Sequence, residues 1–345
     1  MKKIIVNGRF YTRRITGVER YAREILRELD EIIKPGEIEI AVPSNTFDVP
    51  KFNNIRVVEL GMLHGNLWEQ LLFPWYVFCK NAISLNLCNT APLVSPGIVC
   101  IHDMKIKARP QDFSPAFLLW YKIQFLNSCK RSKRIITVSK FSQKEIMKYY
   151  NVSENKITVI YNAWQHFNRI DYDEGTLKKY NLKSNGYYFT LSSLEPNKNF
   201  KWIVETAKKN PQKRFVVSGA MNNKIFAEKN RYDLQSNIQF LGYVPDSEAK
   251  TLMRDCEAFL FPTFYEGYGI PPLEALSAGC KNIYVSDTEV MHEIYGNAAR
   301  YVDPMRAEKL DHIASCSDTD TIKKVLDKYK WSVGANTLLQ SIRII

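Results

Sequence analysis

The chain has 345 residues, 45% of them hydrophobic and 24% charged, with a formal net charge of +12. That length and apolar content exclude a disordered chain and suit two domains better than one. The run LLFPWYVFC is closed by Lys80 and Asn81, well short of the ~18–20 apolar residues of a membrane span, and the start MKKIIVNGRF reads as a first strand rather than a signal peptide.

Strand and helix patterns alternate along the N-terminal half. IIVNG opens it, a helix follows over 17–33, and EIEIAV, IRVVEL, ISLNL and GIVCIHD supply further strands. A helix over 116–131, RIITVS, a helix over 141–149 and KITVIYN complete the series. The polar stretch NAWQHFNRIDYDEGTLKKYNLKSNG then reads as a linker. A second series starts with YYFTLSS and a helix over 199–209, and runs through RFVVSGA, NIQFLGYV, a helix over 246–255 and AFLFP. A helix over 271–278, NIYVSD, a helix over 289–294 and ARYVDP end it. This order predicts two doubly wound α/β domains with parallel sheets, facing each other across a cleft.

Ligands of such sheets bind beyond the carboxyl ends of the strands. The polar candidates gather there: Gly17 after the first strand, His102 and Asp103 after GIVCI, Ser139 after IITV, Lys198 after YYFTLSS, and Glu266 after AFLF. The segment EGYGIPPLE at 266–274 reads as strand, loop and helix in turn. Gly267 and Gly269 let the backbone approach a ligand closely, and Pro271 or Pro272 suits the first helical position, which puts Glu274 in the first turn. Amides at a helix start bind anions, and two acceptor-only carboxylates flank them. Phosphates and sugar hydroxyls match that combination.

Charge is uneven: residues 1–165 hold 24 Lys and Arg against 14 Asp and Glu, so +10 of the net +12 lies there. An acidic partner is implied, whether nucleic acid, anionic lipid or a phosphorylated substrate. Without a helix-turn-helix, zinc-finger or RNP-like pattern, nucleic acid is not expected. The seven cysteines show no CxxC pair and the five histidines lie far apart, so no metal site is expected and the thiols read as buried small side chains in a reducing cytoplasm. The triplets Asp171-Tyr172-Asp173 and Asp318-Thr319-Asp320 sit in polar stretches rather than after an apolar strand.

The segments SLEPNKNF, FLGYVPDSEAKTLMRDCEAFLFPTFYEGYGIPPLEALSAG, VIYNA, VSKFSQKEI, CIHDMKIKARPQDFS and RITGVERYAREIL resemble glycosyltransferase family 4, retaining nucleotide-sugar transferases of the GT-B fold with two Rossmann-like domains. The resemblance runs from about residue 12 to residue 304, and its most specific part is the pair Glu266 and Glu274 with Lys198 upstream. It implies an acceptor-binding domain over 1–165, a donor-binding domain over 166–329, and a helix at about 330–345 that crosses back onto the first.

By the same resemblance, Lys198 binds the donor phosphates together with the amides of Gly17, Gly267, Tyr268, Gly269 and Ile270. Glu274 takes the ribose hydroxyls, Glu266 lies near the donor sugar, and Tyr243 and Val244 contact the base. Many relatives carry an arginine where this chain has Ser193 or Asn197, so its phosphate site holds fewer cations. His102, Asp103 and Ser139 fall on the acceptor side, and Trp68-Glu69-Gln70 either shapes that side or packs in the core. Catalytic roles are implied for His102, Lys198 and Glu266. The implied partners are a GDP-, UDP- or dTDP-sugar, with no metal or other cofactor, and a glycan acceptor on polyprenyl diphosphate. The setting is bacterial surface polysaccharide synthesis (O-antigen, capsule or exopolysaccharide). The location is cytoplasmic, with the basic domain suited to the inner face of the membrane; Leu118, Leu119, Ile123, Phe125 and Leu126 share a helix with Lys122 there. An epimerase or phosphorylase on the same fold, or a non-catalytic nucleotide or nucleic-acid binder, remain the alternatives.

Overall fold

A computed structural model describes residues 2–191, 195–219, 235–310 and 318–344. The chain divides into two compact units, residues 1–162 with 330–345, and residues 163–329.

The first unit is built on seven parallel strands: β1 (Ile4–Asn7), β2 (Ile38–Val42), β3 (Arg56–Glu59), β4 (Ile83–Asn86), β5 (Ile98–Cys100), β6 (Arg134–Thr137) and β7 (Ile157–Val159). They lie in the order β3-β2-β1-β4-β5-β6-β7. The strands β1, β2, β4 and β5 are buried along their whole length, as near-continuous apolar runs are when helices cover both faces of a parallel sheet. Helix α1 (Gly17–Ile32) starts at a capping box in which Thr16 and Glu19 satisfy each other's backbone. Its Tyr21, Ile25, Leu26 and Leu29 recur at helical spacing and are buried.

The aromatic stretch at 65–79 is not one regular helix. A single turn, Gly65–Leu67, leads into a π-helical turn over Trp68–Leu72, and α2 (Phe73–Cys79) follows. The Phe73 amide donates to the Trp68 carbonyl, one residue further back than in an α-helix. Pro74 comes next and has no N–H to give the Gln70 carbonyl, so the wider turn loses little. Trp68 is buried, stacked on Phe73, and gives its indole N–H to the Leu60 carbonyl, so it belongs to the core. Two longer helices, α3 (Pro115–Arg131) and α4 (Lys140–Tyr150), pack further along.

The second unit has six parallel strands: β8 (Tyr188–Leu191), β9 (Phe215–Ser218), β10 (Ile238–Gly242), β11 (Ala258–Phe261), β12 (Ile283–Ser286) and β13 (Arg300–Val302). Their order is β10-β9-β8-β11-β12-β13. Helices α5 (Phe200–Lys209), α6 (Asp246–Asp255), α7 (Ile270–Ser277), α8 (Glu289–Tyr295) and α9 (Thr319–Lys328) accompany it. Residues 163–186, expected to be a linker, are packed into this unit: Ala163, His166, Phe167, Thr176 and Leu182 are buried, and Lys250 donates to the carbonyls of Phe167 and Ile170. Polar composition concealed that burial because the contacts are made by few, widely spaced side chains.

The final helix, α10 (Trp331–Arg343), returns to the first unit and lies on α1. Gly334 sets how close it comes, since a Cβ there would stand 3.0 Å from both Ile25 and Ile160. Among the described residues no helix is long and apolar enough to cross a membrane. Cys100, Cys129, Cys256 and Cys280 are buried as expected, but Cys79 is exposed and Cys88 half-buried; Cys316 lies outside the described residues.

Candidate functional site

In each sheet one pair of neighbouring strands marks the point where the winding reverses, β1 beside β4 in the first and β8 beside β11 in the second. Ligands of open α/β sheets collect there. In the second unit the segments following β8 and β11 carry Lys198 and Glu266.

Lys198 ends the short 3-10 turn Pro196–Lys198, and that turn is fastened to the loop after β11. Asn199, left-handed at φ +56°, donates to the carbonyls of Pro262 and Pro304. Asn197 accepts from the Phe264 amide through its own carbonyl and reaches the Tyr265 carbonyl with its side chain. Asparagine tolerates that backbone conformation better than most residues, which explains the choice at 199. Held on both sides, Lys198 Nζ stands 2.8 Å from Glu266 Oε1 and lies over the Phe261 ring. The pair is only partly exposed to water, so it is worth more than a surface bridge but would yield to a more highly charged anion.

The loop 262–269 then turns into α7. Gly269 is the residue before the helix, at φ +86°, and a Cβ there would lie 2.7 Å from Met291 Cε and 3.2 Å from Phe261. Its carbonyl accepts from the buried Tyr295 hydroxyl. Tyr268 is buried edge-on against Tyr329. The helix begins at Ile270, with both prolines in its first turn, so Glu274 is its fifth residue and not in the first turn as expected. The left-handed Gly269 makes the reversal, which lets the helix start one residue before the prolines. Amides at such a start have no carbonyl partner within the helix, and the macrodipole adds to their pull on an anion.

Glu274 is buried and its Oε1 lies 2.8 Å from His166 Nε2. That histidine escaped the sequence reading because it sits in the polar stretch read as a linker. Tyr243 and Val244 follow β10; Tyr243 is exposed and Val244 buried. Ser193 lies outside the described residues.

In the first unit, Gly17 opens α1 and is exposed. His102 follows β5, buried, with Nε2 donating to the Leu87 carbonyl at 2.8 Å and the Tyr21 ring edge-on to it. Burial pushes its pKa down to about 4, so it is neutral near pH 7. Ser139 caps α4, accepting from the Ser142 amide, and the Ser142 hydroxyl donates to the His102 carbonyl, which ties the two positions together. Asp103 Oδ1 accepts from the Lys105 amide. A cluster not anticipated from sequence lies at the β1/β4 reversal: Arg9 Nη1 is 3.2 Å from Glu69 Oε2 and both side chains are buried. Asn7 and Thr90 donate to the other Glu69 oxygen. Among the described residues no group of three His, Cys, Asp or Glu side chains is placed to hold a metal. Asp173 accepts from the Gly175 amide and Asp318 caps α9 instead.

Comparison with known proteins gives a consistent picture. The family pattern described as glycosyl transferases group 1 matches residues 175–314, and that of glycosyltransferase family 4 matches residues 77–164. The O-antigen chain mannosyltransferase of Salmonella typhimurium is 29% identical over 220 residues, 63% of this chain. O-antigen chain mannosyltransferase B of Escherichia coli is 27% identical over 246 residues, 66% of this chain. The matches span 59% and 63% of the length of those two relatives. Among solved structures, sucrose-phosphate synthase from Thermosynechococcus elongatus superposes with a TM-score of 0.75 at 14% identity, covering 99% of this chain and 98% of that one. Anabaena HepE in complex with UDP-glucose gives 0.74 at 15% identity over the full length of both chains.

Proposed function

As the chain belongs to the glycosyl transferases of group 1, family 4, which have the GT-B fold, we propose that it transfers a sugar, with retention, from a nucleoside diphosphate donor to a glycan acceptor. The observation that carries this reading is the pairing of Lys198 with Glu266 across the β8/β11 reversal, beside a glycine-led helix start and the buried Glu274. A donor has a diphosphate between two hydroxyl-bearing rings, and this site offers a cation and amides between two carboxylates.

In this reading Glu274, oriented by His166, accepts hydrogen bonds from the ribose, and Glu266 accepts them from the sugar. The diphosphate takes up Lys198 and the amides at Gly269 and Ile270. The bond from the anomeric carbon to the phosphate oxygen breaks with its electron pair going to the phosphate, and Lys198 meets that growing charge. The acceptor hydroxyl attacks from the same face and gives its proton to the departing phosphate oxygen. The leaving group is already good, so no carboxylic acid is needed to protonate it. On the acceptor side this reading assigns His102, neutral and donating to Leu87, as a hydrogen-bonding group and not an acid, with Asp103 beside it and the buried Ser139 holding its segment through Ser142.

Two relatives are named for mannosyl transfer to O-antigen chains, so mannose is the sugar we propose, first as GDP-mannose, with a polyprenyl-diphosphate-linked glycan of a bacterial surface polysaccharide as acceptor. The test is incubation with GDP-mannose, UDP-glucose and dTDP-sugars in turn, with and without a lipid-linked acceptor. Nucleoside diphosphate release that requires the acceptor, and an anomeric configuration in the product matching the donor, are expected. Release without acceptor, or interconversion of the donor sugar alone, would overturn transfer in favour of hydrolysis or epimerisation.

A further inference from the structure

The first unit carries two rows of apolar side chains that face solvent. Leu67, Leu71, Trp75 and Phe78 recur at intervals of four, four and three along the turn Gly65–Leu67, the π turn and α2, and all are exposed, Trp75 by 64% and Phe78 by 83%. Leu119, Ile123 and Leu126 form a second row on α3, with Leu119 63% exposed. Phe125 and Leu118, expected to share this face, turn inward: Phe125 is buried and Leu118 packs against the core.

The two rows belong to one surface, because the loop after β4 is tied to both helices. Gln70 donates to the Ala91 carbonyl and accepts from the Leu93 amide. From the other side Gln124 accepts from the Ala91 amide and Asn127 donates to the Leu93 carbonyl. Val94, next in that loop, is 67% exposed as well. An apolar surface assembled from three segments and left in water is unusual for a chain working alone.

Its surroundings identify the occupant. No Asp or Glu occurs from residue 70 to 102 or from 113 to 144, while Lys80, Lys122, Lys130, Arg131 and Lys133 are exposed in these stretches. The acids bordering these stretches are held elsewhere: Glu69 by Arg9, Asp112 by Arg109, Glu145 by Lys148, and Asp103 by the Lys105 amide. A mainly basic rim around leucine, tryptophan and phenylalanine matches a bilayer with anionic headgroups, where cations meet phosphates and the apolar tips reach the acyl boundary. A second copy of the chain would bring like charges together and is disfavoured.

We propose that this face of the first unit docks on an anionic membrane, with Trp75 and Phe78 entering the interface and the lysines and arginines around them contacting headgroups. The inference deepens the reading of a lipid-linked acceptor, since it names how the enzyme reaches such a substrate, but its test needs no turnover. The intact protein is floated with phosphatidylglycerol-containing vesicles and with pure phosphatidylcholine vesicles at low and high salt. Expected are strong binding to the anionic vesicles, at least tenfold weaker binding to the neutral ones, and a residue of bound protein at high salt due to the apolar contact. A Trp75→Ser, Phe78→Ser variant should lose at least tenfold in binding with an unchanged unfolding midpoint, because both side chains are already in water. A Lys122→Gln, Lys130→Gln, Arg131→Gln variant should lose the preference for anionic lipid. Negligible binding to both vesicle types, or wild-type binding by the Trp75 and Phe78 variant, overturns the proposal. A dimer in light scattering that the same variant dissociates, without vesicle binding, overturns it in favour of a self-interface. Vesicle binding is scored separately from transfer to a water-soluble acceptor, so failure of one leaves the other standing.

Discussion

His166 and Glu274, 108 residues apart in the chain, meet in the second unit with Nε2 and Oε1 separated by 2.8 Å and both side chains buried. A buried carboxylate needs such a partner, since losing one member of a buried pair leaves the other's desolvation uncompensated. His166→Ala is therefore predicted to destabilise the second unit by about 3 kcal/mol and to weaken nucleoside diphosphate binding. Glu274→Gln, close in shape, should cost ~1–3 kcal/mol in binding with a smaller loss of stability. Urea unfolding and calorimetric titration measure the two quantities; unchanged nucleotide affinity in both variants would falsify the ribose role of Glu274.

For Lys198→Ala the expected result is a fall in kcat larger than the rise in donor KM, because the charge it meets is greatest in the transition state. Steady-state kinetics with varied donor separates the two. An effect confined to KM would reduce Lys198 to a ground-state binding residue.

Glu266→Gln tests the ion pair from the other side. It removes the group that holds Lys198 in place and lessens repulsion of the diphosphate, so free nucleoside diphosphate should bind a few-fold more tightly while transfer slows. Tighter binding without slower transfer would show that Glu266 has no dealings with the sugar.

Gly269→Ala places a Cβ at φ +86° and 2.7 Å from Met291 Cε. Backbone strain and overpacking together should cost roughly 2–3 kcal/mol. The measurement is the urea midpoint, with Gly36→Ala as reference, since Gly36 has the same φ but nothing within 4 Å of the added carbon. Equal losses in the two variants would assign the whole cost to φ.

His102 predicts a pH dependence. Its folded pKa, pushed down to about 4 by burial, lies below the ordinary value of 6.5. On acidification the unfolded chain takes up the proton first, so the stability this residue contributes is complete above pH 6.5 and is lost as the pH falls towards 4. The full loss is on the order of 3 kcal/mol. In a His102→Gln variant the slope of unfolding free energy against pH should flatten within that window, as urea titrations at several pH values will show. A slope unchanged by the substitution would mean that His102 titrates alike in both states.

The sheets were legible because parallel strands buried on both faces write themselves as apolar runs, IIVN and AFLF among them, and the loop from Glu266 to the prolines announced itself by residues with few uses elsewhere. What stayed hidden were relationships without a local signature. His166 reaches Glu274 across most of the second unit, and a polar neighbourhood gave no sign of it. The side chains of α3 are apolar nearly all round, so the sequence could not tell that Phe125 turns in while Leu126 turns out. Nor does any pattern foretell a π turn at Trp68; only the proline after it offers a reason. Glu274 was misplaced by one or two residues because glycine conformation, not proline position, decides where that helix begins.

Helix α10 follows the whole second unit in the chain yet buries Trp331, Leu338 and Ile342 in the first. During synthesis the second unit can close on itself from one continuous segment, while the first emerges earlier but must hold α1 with an uncovered flank until α10 arrives. The order of completion is thus the reverse of the order of translation. Nascent chains stalled before residue 331 should keep the first unit protease-sensitive.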